Sequence, residues 1–335
     1  MILTAAPTAK FAIIEEMTNR EDNLLSVRLL CETAGVSRSG YYRWLKAFNA
    51  RQAKEQQDCA DFAVILEAYK FRGYPKGVRG IHMRLLHLTP PLVMNPKKVH
   101  RLMQKYRLFC KTRKTNPYKL RMIEIQGVRA APNLLNREFH AHGPRSVLLT
   151  DITYIPRDHG KFSYLSVIMD AYTREILAYV LSYSIDIDFV LQTVELLLAQ
   201  HGAELQTNAL IHSDQGGHYM SHKFIDLLNN AQLRRSMSEK ATPWDNAPQE
   251  SLFGHMKDEI RFLPSDSHAI QRARVSDWVD YYNNYRYQWT LAKLSPAEFY
   301  RYTQTGEYPL PITPKPVEQP NQTKLGRSEA DNRES

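Results

Sequence analysis

The sequence predicts an α/β protein, a mixed five-stranded sheet with helices on both faces, preceded by an all-α and strongly basic N-terminal half. Three observations carry this. Apolar residues recur at helical spacing through the first hundred or so residues and alternate at strand spacing after residue 146. Charge divides at the same place: residues 1–145 hold 26 Lys and Arg against 11 Asp and Glu, and the remainder 18 against 24. A chain of 335 residues with 43% hydrophobic content is also long enough for two or three domains with cores of their own.

In the basic half, residues 26–48 read SVRLLCETAGVSRSGYYRWLKAF. Helical spacing breaks at Ala34-Gly35-Val36, and Ser37 is placed to cap a second helix bearing Arg38, Tyr41 and Arg43. This is a helix-turn-helix layout, although any antiparallel helix pair in a core gives a similar pattern. A second copy follows: GVRGIHMRLLHL is a short helix, PPLVM breaks it, and Asn95-Pro96 starts KKVHRLMQKYRL. Residues 68–123 hold 15 basic side chains and no acidic one. A run of that length repels itself unless a polyanion lies against it, so nucleic acid is favoured over a solvated basic face. The candidate DNA contacts are Arg38, Tyr41, Arg43, Lys97, Lys98, Arg101 and Lys105. The expected domains are 1–60 and 61–112 for the two helix-turn-helix segments, a basic linker at 113–145, a core at 146–303 and a Pro-rich disordered tail at 304–335.

From residue 146, SVLLTDITYIP, FSYLSVIMDAYT and REILAYVLSY are three antiparallel strands joined by short turns. The helix DIDFVLQTVELLLAQHG, the buried strand ALIHSD, the helix SHKFIDLLNNAQ and the strand LRRSMS complete a layered α/β arrangement. Asp170 is read as a turn residue, Asp186 and Asp188 as helix-opening acids, and His212 as a packed histidine. Three other acids ask for a different account. Asp151 stands between apolar residues on the first strand, Asp214 ends ALIHSD beside Gly216 and Gly217, and Glu250 opens a helix in TPWDNAPQESLFGHMKDE. In that helix Asn246 is expected to cap with Gln249 at the third position, and Pro248 stiffens the first turn. Lys257 lies two turns beyond Glu250 on the same face. Carboxylates brought together from a strand, a strand end and a helix repel one another unless a divalent cation neutralises them, and oxygen donors select Mg²⁺ or Mn²⁺.

The blocks LLTDITYIP, HSDQGGHY and WDNAPQESLFGHMKDE resemble the three acidic blocks of DDE transposases in the retroviral-integrase superfamily, specifically the OrfB-type transposases of the bacterial insertion-sequence family numbered three. Thirty-five residues separate Asp214 from Glu250, with Lys257 seven further on, a specific spacing in this family. The resemblance spans about residues 26–300. It implies a ribonuclease-H-like fold, a catalytic triad of Asp151, Asp214 and Glu250 holding two Mg²⁺ ions with Mn²⁺ able to substitute, and Lys257 on the terminal DNA. It further implies DNA partners (terminal inverted repeats and target), a homodimer or higher oligomer in a synaptic complex, and a copy-out, paste-in route. Expected alternatives are a DNA-binding regulator with the fold but no catalysis, and a structure-selective nuclease of the same fold. Two departures stand out. Tyr287 and Gln288 replace the usual Pro-His, and no sustained heptad is present, so the chain looks like the OrfB portion, with an upstream OrfA product as a further expected partner.

Cys31, Cys59 and Cys110 form no CxxC pair, which argues against a zinc knuckle or a disulfide framework. No apolar run approaches the ~18 residues of a membrane span. The expected setting is the bacterial cytoplasm, in association with the nucleoid.

Overall fold

The computed structural model describes residues 6–110, 135, 142–238 and 246–314. The chain forms two compact units, one of Met1–Glu67 with Arg101–Arg107 and one of Ala68–His100 with Leu108–Ser335.

In the first unit, α1 (Pro7–Thr18), α2 (Val27–Ala34) and α3 (Arg38–Lys46) pack around Ile14, Leu30, Cys31, Ala34 and Tyr41. Ser26 Oγ accepts from the Leu29 amide and Ser37 Oγ from the Gly40 amide, so each helix begins at its serine. Between them Gly35 takes φ +63°, the left-handed turn that ends α2. The expected division at residue 60 is not where the chain divides. No Gly or Pro interrupts FNARQAKEQQDCADFAVILEAYK, and α4 (Phe48–Lys70) runs through that point as one helix.

The second unit contains α5 (Val78–Leu86), and α6 (Pro96–Lys105) follows it, the Asn95 carboxamide oxygen accepting from the Lys97 amide at the start of α6. Its centre is a five-stranded sheet of β1 (Val147–Pro156), β2 (Phe162–Asp170), β3 (Ile176–Ser182), β4 (Leu210–Ser213) and β5 (Arg234–Met237). The order is β3-β2-β1-β4-β5, with β1, β2 and β3 antiparallel and β4 and β5 joined parallel to β1. Side-chain alternation divides β1 between two cores. Leu149 and Ile155 face Leu252, Phe253 and Met256 of α9 (Ala247–Glu259) and Val275 and Trp278 of α10 (His268–Tyr285). Leu148 faces Phe189, Val190 and Val194 of α7 (Ile187–His201) and Phe224 and Leu228 of α8 (His222–Asn230). The result is the expected mixed sheet with helices on both faces.

Polar residues fix the margins. Asp170 accepts from the Tyr172 and Thr173 amides and pairs with buried Arg145 at 3.7 Å, so it is a turn residue with a second, ionic role. Asp186 caps α7 by accepting from the Phe189 amide. At the edge strand β3, Asn283 of α10 accepts from the Ile176 amide at 2.9 Å and donates to its carbonyl at 2.8 Å. The two residues that depart from the family pattern are built into the fold: Tyr287 stacks on His87 at 3.6 Å, and Gln288 donates to the Tyr282 hydroxyl. The expected tail begins too early at 304. α11 (Pro296–Thr305) is followed by Tyr308, whose hydroxyl donates to the Ala292 carbonyl, and by buried Leu310. Residues 315–335, and most of the expected linker, lie outside the described residues.

Candidate active site

The parallel register of β1 and β4 pairs Leu149 with His212. Asp151 is two residues further along β1, and Asp214 follows the last residue of β4, two residues beyond His212. His212 itself is buried between Ser236 Oγ at 2.9 Å and Ser238 Oγ at 3.0 Å, a packed residue as expected. Asp214 is exposed, and its Oδ1 accepts from the Gly216 amide at 2.9 Å. A Cβ on Gly216 would lie 2.9 Å from that oxygen, so the glycine is what allows the carboxylate its place; at Gly217 there is open space. Glu250 comes from the first turn of α9 and is exposed, as is Lys257 two turns on.

Asp151 records how these groups converge. Partly buried, with Oδ1 accepting from the Ile152 amide at 2.7 Å, its carboxyl is pushed up to about 7. Burial is the largest cause, the charge of Asp214 the next, and Glu250 adds to both; the Ile152 amide and Lys257 act the other way. Asp214, Glu250 and Lys257 therefore all lie within electrostatic reach of Asp151. Among the described residues, no three His, Cys, Asp or Glu side chains stand close enough to hold an ion as they are.

The capping of α9 differs from expectation. Asn246 occupies the capping position but its side chain makes no capping bond. It is buried instead, with both polar atoms unpartnered, and Gln249 is buried with its Nε2 donating to the Val167 carbonyl on β2. The apolar stripe Leu252-Phe253-Met256 sets the inner face of α9, and positions 246 and 249 fall on its extension. One further residue belongs to this neighbourhood. Tyr219 is fully buried with its hydroxyl 3.5 Å from Thr150 Oγ1, and it is held protonated well beyond its ordinary range by burial and by the charges of Asp151 and Asp214. Tyr219 is the aromatic in HSDQGGHY, and that block is where it was open to detection.

The candidate DNA contacts fare unevenly. Arg38, Arg43 and Lys97 are exposed and Lys98 is partly so. Tyr41 is not available to a ligand: it is 1% exposed, with its hydroxyl donating to Glu15 at 2.5 Å. Arg101 and Lys105 are turned toward Asp58, at 2.7 and 2.9 Å, and Lys105 also pairs with Glu55.

Two family models, both described as an integrase core domain, match residues 141–243 and 231–296. Over 275 residues the chain is 30% identical to the insertion element IS600 uncharacterized 31 kDa protein of Shigella sonnei, covering 81% of this chain and 97% of that one. It is 29% identical over 279 residues to the transposase InsF for insertion sequence IS3A of Escherichia coli K12, covering 82% and 93%. The chain belongs to the IS3 family of DDE transposases. As an IS3-family transposase it is a polynucleotidyl transferase, and its sheet is the ribonuclease-H-like integrase core. Solved structures overlap it loosely. The simian T-cell lymphotropic virus intasome in complex with PP2A regulatory subunit B56 gamma gives a TM-score of 0.40 at 14% identity, covering 67% of this chain and 72% of the matched one. The catalytic domain of Mos1 mariner transposase gives 0.36 at 15%, covering 47% and 74%.

Proposed function

We propose that this IS3-family transposase binds the terminal inverted repeats of its element and cleaves and joins DNA strands at a site made of Asp151, Asp214 and Glu250. The observation that carries the reading is the carboxyl of Asp151, pushed up to about 7 by burial and by the other two acids. A partly buried carboxyl held against the charge of two other acids is an unfavourable arrangement for stability alone, and a perturbed acid of this kind marks a functional site. All the donors are carboxylate oxygens, which suits a hard divalent cation. Asp151, Asp214 and Glu250 would hold Mg²⁺, two ions on the family pattern, with Mn²⁺ able to substitute. When bound, the ions supply Lewis-acid polarisation of the scissile phosphate.

The chain's own groups do the rest. Asp151 gives up its proton as the site fills, so occupancy strengthens as pH rises through about 7. The Gly216 amide holds Asp214 Oδ1 and leaves its Oδ2 for the site. Glu250 enters on a helix whose first turn is stiffened by Pro248, and Lys257 offers its charge to a phosphate of the terminal DNA. The exposed arginines of α3, Arg38 and Arg43, and the lysines of α6, Lys97 and Lys98, provide backbone contacts to the inverted repeats. Joining two ends calls for at least two protomers on the DNA, and an OrfA product is a further candidate partner.

One observation favours the second reading, a DNA-binding relative without chemistry: among the described residues the acids do not form a closed ion site as they stand. A strand-transfer assay decides. Purified protein is given a labelled duplex carrying the element's ends, with Mg²⁺ or EDTA, alongside Glu250→Gln. Joined products that need the metal and vanish in the variant support the transposase site; binding without cleavage under any metal supports the regulator.

A further inference from the structure

We infer that Gln249 is a positioning residue for this site: its side-chain amide fastens the first turn of α9 to β2 opposite Asp151, and thereby sets where Glu250 meets the other two acids. The inference rests on the reading of Asp151, Asp214 and Glu250 as the ion-holding set.

The packing of α9 holds an anomaly. Gln249 is fully buried on a helix face otherwise made of Leu252, Phe253 and Met256. A glutamine in such a place is unfavourable unless hydrogen-bonded, and this one is only half satisfied. Its Nε2 donates to the Val167 carbonyl at 3.2 Å, while its Oε1 is buried with no partner. A methionine of the same length would fill the space with no side-chain polar atom left unpaired, so core packing does not account for the amide.

What the amide touches does account for it. Val167 is the residue directly across from Asp151 in the β1–β2 ladder. The bond therefore ties residue 249, next to one acid, to the strand position paired with another. The packing of Leu252, Phe253 and Met256 against the sheet is apolar and non-directional, so it resists lifting the helix more than sliding or turning it. A hydrogen bond fixes both distance and angle. One turn back on the same face, Asn246 contributes nothing to the anchoring, since both its polar atoms are unpartnered. Gln249 is thus the directional fastening of this turn to the sheet among the described residues. Glu250, exposed and without a hydrogen bond of its own among those described, takes its place from the turn that carries it. Groups that orient ligands in this way typically govern ion affinity by ~10- to 100-fold.

The test uses the full chain and Mn²⁺ as the probe. Free Mn²⁺ is followed by electron paramagnetic resonance as it is titrated into metal-free parent, Gln249→Met and Gln249→Asn, the second retaining the amide on a side chain too short to reach β2. In parallel, cleavage of end-bearing duplex is measured against Mn²⁺ concentration. Both variants are expected to need about 10-fold more Mn²⁺ for half occupancy and half-maximal cleavage, with near-parental rates at saturation. A Gln249→Met protein that folds and binds Mn²⁺ like the parent overturns the inference; should it fail to fold, parental Mn²⁺ binding by Gln249→Asn does the same. Glu250→Gln separates the positioning role from the site it depends on. If that variant binds Mn²⁺ undiminished, the acidic-site reading is what fails; if its binding is lost while the Gln249 variants are unaltered, only the positioning role fails.

Discussion

Asp151 on β1 and Asp214, just past the end of the parallel neighbour β4, each lie two residues beyond the Leu149–His212 pair, and the charge of Asp214 raises the carboxyl of Asp151. The register of β1 and β4 thus leaves two like charges within electrostatic reach. Part of the folding energy of the core is thereby held at the site.

Replacing Asp151 by Asn should therefore separate activity from stability. Cleavage is lost while binding of the element's ends persists. In EDTA the variant melts higher than the parent. The folded carboxyl has risen from 3.8 to about 7, so between those values the folded chain holds a proton that the unfolded chain has released. Stability of the metal-free parent thus falls as pH climbs from about 4 to about 7 and stays low above it. The asparagine removes that loss, on the order of a few kcal/mol for a partly buried group. Thermal melts at pH 4.5 and 8 check it; equal midpoints for the two proteins at pH 8 would refute the account.

Gly216→Ala and Gly217→Ala form a matched pair. The methyl group at 216 meets Asp214 Oδ1 at 2.9 Å, whereas at 217 it meets nothing. Strand cleavage should fall by ~10-fold or more in the first, since small displacements of catalytic groups are costly, and hold in the second. Comparable cleavage by the two proteins would remove the steric role of Gly216.

Lys76 offers a pH test away from the acids. It is buried, donates to the Phe71 and Tyr74 carbonyls at 2.7 and 2.8 Å, and has its ammonium lowered to about 8, by burial first and by Arg84 and Arg286. Between about 8 and its ordinary 10.5 the unfolded chain keeps a proton that the folded chain has lost, so this group makes stability rise with pH across that window. Denaturant titrations at pH 8 and 10 should show Lys76→Met losing that rise. A slope identical to the parent's would mean Lys76 stays charged in the fold.

The basic helices should divide into two classes. Arg38→Ala and Arg43→Ala, made singly, should lower the salt dependence of end binding by roughly 0.9 for each phosphate that is no longer neutralised. Arg101 is held by Asp58, whose carboxyl is well below its ordinary range because Arg101 and then Lys105 donate to it. Arg101→Ala should therefore lower the melting temperature and leave the salt slope nearly unaltered. Tyr41→Ala, which empties a core position, should destabilise by about 3 kcal/mol or more. Binding slopes from fluorescence anisotropy at several salt concentrations, set beside thermal melts, would expose any residue placed in the wrong class.

The sheet is legible in the sequence because alternation of apolar residues is a local property: VLLTDITYIP and FSYLSVIMD declare their period within ten residues. Asp151 is legible because it interrupts such a run, and the three acids together because their spacing matches a known family. Asn246 is misleading since a capping pattern and a buried face compete for the same residue, and Gln249 on that face bonds to a strand residue 82 positions earlier. Tyr41 reads as a surface aromatic because its partner, Glu15, lies 26 residues away. Arg101 and Lys105 look like unpaired charge for the same reason: no acid falls within residues 68–123, and the acids that hold them are on α4.

Asn283 matters to how such a protein keeps its own company. By accepting from the Ile176 amide and donating to its carbonyl, its side chain imitates one residue of a sixth strand. An uncovered outer strand is a template on which other chains extend a sheet, the first step toward aggregation. With that position already filled from α10, copies gathered on DNA are steered away from joining through their backbones at this margin, leaving assembly to side-chain surfaces that can be undone.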